Sequence, residues 1–180
     1  MQWRRDFYDA GLHGLRWVLW VLTAVFVGMS MQASRADTHD LTIVIGPLPD
    51  GSMQTHVYSV QSLTELAKTE YTTSTVWTES LDRFSGVLLW DMLAHLGVDP
   101  EGWSGEITLE AIDGYSATLG PAHVDETAPL LAILRNGRPM PLRERGPVWL
   151  IFPYDAEPAF RNETIYALSV WQIAQMSITP

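Results

Sequence analysis

The stretch E-A-I-D-G-Y-S-A-T-L, residues 110–119, predicts a β-hairpin and, with it, a strand-rich fold. Asp-Gly between two strand-forming runs is among the strongest short-range hairpin signals, because both central positions of a tight hairpin turn favour a positive φ. We therefore expect strands over residues 105–112 and 115–119, joined at Asp113-Gly114.

Similar signals recur along the chain. P-L-L-A-I-L-R-N-G-R-P-M, residues 129–140, places Asn136-Gly137 between two runs and predicts strands over 129–135 and 138–142. Other short runs rich in β-branched and aromatic residues predict further strands. These lie at residues 41–46, 71–78 and 147–153, with at least one more within 165–178.

Two segments predict helices. Ser62-Leu63-Thr64-Glu65 matches the S-x-x-E capping box and indicates a short helix that runs through Lys68. Residues 87–96 carry apolar side chains at helical spacing, and Gly97 follows where a helix-ending glycine belongs. Few helices among many strands, with no internal repeat, indicate one β-rich α+β domain.

The start of the chain resembles a targeting segment. Arg4 and Arg5 precede an uncharged apolar run over residues 17–31, whose 15 residues fall short of a spanning helix. Ser34 and Ala36 fit the small-residue cleavage rule, so we expect a signal peptide over 1–36 and a periplasmic or secreted domain over 37–180. An uncleaved anchor is the alternative, and the arginine pair leaves twin-arginine export open beside the ordinary route.

Charge and composition exclude several classes of function. Residues 37–180 hold seven Lys and Arg against 19 Asp and Glu, a formal net charge of −12, which disfavours a nucleic-acid partner. The chain has no cysteine, and therefore no disulfide, thiolate nucleophile or thiolate metal ligand.

No motif for metal binding or hydrolysis stands out. No two of the five histidines have the H-x-x-x-H spacing that places two imidazoles on one helix face. H-V-D-E-T, residues 123–127, could hold a cation or transfer a proton, or form a solvated loop. The serines lack a G-x-S-x-G turn, and no glycine-rich phosphate loop is present.

Five segments together resemble the oxidoreductase molybdopterin-binding domain of the sulfite oxidase type. The resemblance implies a strand-dominated mixed α/β fold around a pterin pocket, and it covers nearly all of residues 37–180. Within the family it is closest to short exported proteins that consist of this domain alone. The segments are residues 84–97, 110–119, 129–140, 145–153 and 169–178.

Three positions depart from that family's pattern. The resemblance implies a molybdenum-binding cysteine about four residues before a tryptophan, and counting back from Trp77 places Thr73 there. A threonine hydroxyl is a hard, weakly acidic ligand that cannot replace a soft thiolate. The resemblance also implies a basic residue and a lysine that hold the cofactor's anionic parts, where this chain has Trp149 and Trp171.

We therefore expect an exported, non-catalytic binding or sensing module that takes a small molecule or a protein partner, without a metal. We expect no cofactor, whereas the resemblance alone would imply molybdopterin. One alternative is a molybdopterin-dependent oxidoreductase with a cysteine-free metal site near Thr73, Asp113 or Tyr115. Another is an interaction subunit that an uncleaved leader anchors in the membrane, so whether the chain is an enzyme stays open. The pocket candidates are Thr73, Trp77, Asp113, Tyr115, Trp149 and Trp171.

Overall fold

Ten strands and three α-helices form from residues 39–180, the part of the chain that the computed structural model describes. The predicted signal peptide, with Arg4-Arg5 and the 17–31 run, lies outside these residues. The helices are α1 (Val60–Leu66), α2 (Leu89–His95) and α3 (Glu163–Leu168), and none of them has the length and apolar character that a bilayer crossing needs. The strands are β1 (Leu41–Ile45), β2 (Gln54–Tyr58), β3 (Thr69–Thr73), β4 (Asp82–Leu88), β5 (Glu106–Ala111), β6 (Ser116–Leu119), β7 (Leu130–Arg135), β8 (Arg138–Pro139), β9 (Trp149–Ile151) and β10 (Ile173–Thr179).

The first sheet has the strand order β2-β1-β10-β5-β6. β1 runs parallel to β10, whereas β1–β2, β10–β5 and β5–β6 are antiparallel. β1 shows the alternation of a half-buried strand, with Leu41, Ile43 and Ile45 buried. The chain's last strand thus lies between its first strand and the β5–β6 hairpin.

The second sheet centres on β7. β3, β4 and β7 follow one another, and β8 and β9 share the other edge of β7: Pro139 pairs with Leu134, and Trp149 with Ala132. The first four residues of β7 and all of β9 are fully buried, so both faces of this region are covered. One hydrophobic core includes residues of both sheets.

Both predicted hairpins are present, but their turns differ. Asn136 and Gly137 have φ values of 53° and 76°, the two positive values expected for the tight turn. Of the other pair only Gly114 has a positive φ, 85°. The Ala111 amide donates to the Tyr115 carbonyl, which makes this a three-residue loop that ends in a left-handed glycine.

The helix predicted over residues 87–96 is wrong at its start. Residues up to Leu88 belong to β4, which pairs with β3 on one side and with β7 on the other. The first residues of the apolar run therefore form the end of a buried strand, and the helix begins at Leu89. The predicted capping box is also displaced: Ser59 caps α1 by accepting the Ser62 amide at 3.1 Å. The strand predicted over 71–78 ends at Thr73, and α3 was not predicted.

A buried carboxylate fixes the Asn136-Gly137 turn to β4. Asp82 accepts hydrogen bonds from Asn136 Nδ2 at 2.8 Å and from Ser80 Oγ at 2.9 Å, and its other oxygen lies 2.7 Å from Arg135 Nη2. Burial alone would raise the pKa of Asp82, but the bonds from Asn136, Arg135 and Ser80 hold the pKa below its ordinary value. The turn and the strand are therefore joined by a charged group that stays ionised at neutral pH.

Replacing Gly86 by alanine is expected to destabilise the second sheet. A Cβ at this position would lie 1.9 Å from the Leu131 carbonyl oxygen, a backbone atom that cannot move without separating β4 from β7. We expect Gly86→Ala to lower the free energy of unfolding by about 3 kcal/mol, measured by urea denaturation. Gly120→Ala is the matched control, because nothing lies within 4 Å of its Cβ position. Equal unfolding midpoints for the two variants would contradict this packing.

Candidate functional site

A pocket of about 260 Å³ lies among the β5–β6 hairpin, α3, the loop after β3 and the segment that leads into β10. Four predicted candidates meet there: Trp77, Asp113, Tyr115 and Trp171. They come from three segments that are distant in the sequence. The remaining lining residues are Ala111, Tyr166, Ser169 and Val170.

Trp77 lies at the centre of an aromatic cluster. Its indole makes edge-to-face contacts with four rings, whose centroids lie 5.6 Å (Trp149), 5.7 Å (Tyr166 and Trp171) and 6.2 Å (Tyr154) away. Edge-to-face packing of this kind is the favoured arrangement of aromatic pairs. The Trp77 amide donates to Thr75 Oγ1 at 3.1 Å, so a threonine turn directly after β3 holds the indole in place.

Trp149 lies behind the pocket rather than in its lining. The indole is fully buried, and its Nε1 donates to the Ser169 carbonyl at 3.1 Å. Its backbone forms a bridge with Trp171, so two of the predicted candidates are held side by side. Trp149 therefore packs against Trp77 and Trp171 without lining the pocket itself.

Arg145 lies beside the pocket and was not among the predicted candidates. Its guanidinium carbon lies 5.4 Å from the ring centroid of Trp149 and 5.6 Å from that of Trp171, within the range of cation–π attraction. Within residues 39–180, no carboxylate lies at ion-pair distance from Arg145. In the sequence Arg145 begins the segment R-G-P-V-W, but no local pattern in that segment predicts that the arginine stacks on indoles.

A hydroxyl pair forms the floor of the site. Ser169 Oγ donates to the Ile165 carbonyl at 2.7 Å, so the buried Tyr154 hydroxyl, 2.6 Å away, donates to Ser169 Oγ. Burial raises the pKa of Tyr154 to about 12. The phenol thus stays protonated at neutral pH and its proton is committed to the serine, which makes this pair a structural element.

Thr73 lies apart from the pocket lining. It is 1% exposed, and its Oγ1 accepts the Asp155 amide at 3.1 Å and donates to the Ser74 carbonyl at 3.2 Å. Ser74 in turn donates its amide and its hydroxyl to the Asp155 carboxylate. These two hydrogen bonds, together with Arg161, hold the pKa of Asp155 below its ordinary value. The Thr73 hydroxyl is therefore occupied by bonds within the protein.

The hairpin rim is fixed from two sides. Asp113 Oδ1 accepts the Tyr115 amide at 3.0 Å, and the Tyr115 hydroxyl donates to the Ala167 carbonyl at 2.8 Å near the end of α3. The Ile112 amide donates to the Gln172 carbonyl, which ties the hairpin to the segment that carries Trp171. Asp113 and Tyr115 therefore have defined positions although both are exposed.

The described residues hold no group of three His, Asp or Glu side chains that could ligate a metal ion. H-V-D-E-T, residues 123–127, forms a turn: Asp125 Oδ1 accepts the amides of Thr127 and Ala128. His123 Nδ1 accepts the Gly120 amide at 3.3 Å. Both side chains thus serve local structure.

One solved structure with a similar fold is the sulfane dehydrogenase SoxCD from Paracoccus pantotrophus. The TM-score is 0.52 at 18% sequence identity, over 78% of this chain and 38% of that chain. The protein thus spans about two fifths of its neighbour's length. The likeness shows the fold alone, and it confirms the fold class predicted from the sequence. No family model and no curated protein sequence matches the chain.

Removing the Ser169 hydroxyl is expected to destabilise the floor of the site. Ser169→Ala leaves the buried Tyr154 hydroxyl without its acceptor, which costs about 1–3 kcal/mol of unfolding free energy. Adding Tyr154→Phe should recover part of this loss, because the polar pair is then replaced by two apolar groups. Thermal denaturation checks both variants, with the exposed Ser104→Ala as control. A double variant less stable than Ser169→Ala would show that the hydroxyls do not act as a pair.

Proposed function

We propose that this protein is a non-catalytic binding or sensing module built on an oxidoreductase fold, and that its aromatic pocket takes a small molecule. The observation that carries the proposal is the cluster in which the Trp77 indole packs among Trp149, Tyr154, Tyr166 and Trp171. Pocket walls of this kind supply apolar surface and aromatic faces. The Ser169 hydroxyl in the lining is bonded to the Ile165 carbonyl and to the Tyr154 hydroxyl, so these bonds occupy it within the protein.

The residues present do not fit a molybdopterin cofactor. At the position that the family resemblance assigns to the metal ligand, the Thr73 hydroxyl is a hard donor that the protein itself occupies on both sides. The one charged residue in the pocket lining is Asp113, whose carboxylate repels the anionic parts of such a cofactor. The pocket's 260 Å³ also lies below the roughly 300–1,000 Å³ of sites for drug-sized ligands, so its volume suits a molecule smaller than a pterin cofactor.

The alternative of a cysteine-free molybdenum site has weaker support. It places a molybdenum site near Thr73, Asp113 or Tyr115. Thr73 does not line the pocket, and its hydroxyl is bonded to the backbone. Asp113 and Tyr115 do line it, but Asp113 Oδ1 accepts the Tyr115 amide and the Tyr115 hydroxyl donates to the Ala167 carbonyl. The fold it shares with an oxidoreductase therefore remains its main support.

The location of the module is part of the proposal. The basic start, the apolar run over 17–31 and the small residues before Asp37 support export through a cleaved signal peptide. A module released in this way works in the periplasm or outside the cell. If the leader is retained, the same domain becomes a membrane-anchored interaction subunit.

Mass spectrometry of protein purified from its own host tests the location. We expect an intact mass that corresponds to a chain beginning at Asp37, because cleavage after Ala36 follows the small-residue rule. A full-length chain in the membrane fraction would contradict the released form and favour the anchored subunit.

Natively purified protein is expected to contain neither molybdenum nor a pterin. Metal analysis should give far less than one molybdenum atom per chain, and oxidation should release no pterin fluorescence. Thr73→Cys should remain without molybdenum as well, because Trp149 and Trp171 still fill the positions of the implied basic residues. Molybdenum near one atom per chain in the native protein would overturn the proposed function.

A further inference from the structure

The pocket walls meet nearly at right angles. The Trp77 ring stands at 81° to Tyr166 and at 73° to Trp171, with centroids 5.7 Å apart in both pairs. Tyr115 adds a fourth aromatic residue, held by the bond from its hydroxyl to α3. Trp77, Tyr115, Tyr166 and Trp171 all line the pocket, so its walls form a partial aromatic box.

The charge of the lining is negative. Asp113 is the one charged side chain among the residues that line the pocket, and none of these residues is a lysine or arginine. Its Oδ1 accepts the Tyr115 amide, and within residues 39–180 no donor lies at hydrogen-bond distance from Oδ2. One carboxylate oxygen at the rim is therefore available to a ligand.

We propose that this pocket binds a small organic cation of the methylated or quaternary ammonium class. The inference rests on the proposed function and names its ligand. The negative faces of indole and phenol rings attract a cation, and aromatic boxes recognise quaternary ammonium groups in this way. The methyl groups gain apolar contact with the walls, while the charge is balanced by Asp113 and needs no hydrogen-bond acceptor inside the box.

Arg145 limits which walls contribute most. Its guanidinium already lies 5.6 Å from the Trp171 centroid, although Arg145 is not part of the pocket lining. Two cations near one indole repel each other. The ligand's charge is therefore expected to lie toward Trp77, Tyr166 and Asp113, away from Arg145.

The same arrangement disfavours other ligand classes. An anion would meet the Asp113 carboxylate and the negative faces of the rings. A neutral apolar molecule would gain the contacts with the walls but would have no electrostatic attraction to Asp113. Charge is thus the property that separates the proposed ligand from a molecule of equal size and shape.

The test compares choline with its neutral carbon isostere, 3,3-dimethyl-1-butanol, by isothermal titration of the purified protein. The two probes have nearly the same shape, so their difference reports the charge. We expect choline to bind about tenfold more tightly. Equal or tighter binding of the neutral isostere would overturn the inference, as would the absence of choline binding at millimolar concentrations.

A variant pair assigns the effect to the site. Asp113→Asn keeps the oxygen that accepts the Tyr115 amide but removes the charge, so choline affinity should fall severalfold while binding of the isostere stays constant. Asp50→Asn is the matched control, because Asp50 accepts the Ser52 amide in the same manner in an exposed turn outside the pocket. Equal losses in both variants would overturn the inference. The molybdenum content is measured separately, so failure here is distinguishable from failure of the proposed function.

Discussion

The edge-to-face packing of Trp77 against four other rings is the interaction on which the rest of the site depends. Aromatic pairs of this geometry contribute about 0.5–1.5 kcal/mol each beyond the burial of their area. Trp77 is the member that the other rings share, and it comes from a short turn after β3. Without the Trp77 indole, Tyr166 and Trp171 would each lose a ring contact, and the pocket would extend toward Trp149.

The cluster stands where the chain passes from one sheet to the other. Trp171 bridges to Trp149 of β9, and directly afterwards the chain enters β10 of the first sheet. The Val170 carbonyl accepts the Leu150 amide at 2.8 Å, and the Ile173 amide donates to the Val148 carbonyl at 3.1 Å. The segment that lines the pocket is therefore hydrogen-bonded to β9 before it leaves, and the positions of both indoles follow from the sheet topology.

Local chemistry explains which features could be predicted from the sequence. Asn136-Gly137 and Asp113-Gly114 each contain a glycine with positive φ, and such turns are set by neighbouring residues. Residues 84–88 could not be assigned in this way, because their strand depends on pairing with β3 and β7. Four of the six predicted candidates, Trp77, Asp113, Tyr115 and Trp171, line one pocket, whereas Thr73 and Trp149 do not. The role of all six in binding stays a prediction. Tyr154, Tyr166 and Arg145 were missed because only tertiary contacts bring them to the indoles.

Nuclear magnetic resonance of the indole protons in the ligand-free protein tests the central claim most directly. With ring centroids 5.7 Å apart, Trp77 should give cross-peaks to the rings of Tyr166 and Trp171, and its shifts should be displaced by their ring currents. That result would place an aromatic box at the site that the family resemblance assigns to a cofactor. A Trp77 indole without cross-peaks to either ring, at the shifts of an unfolded peptide, would contradict the account.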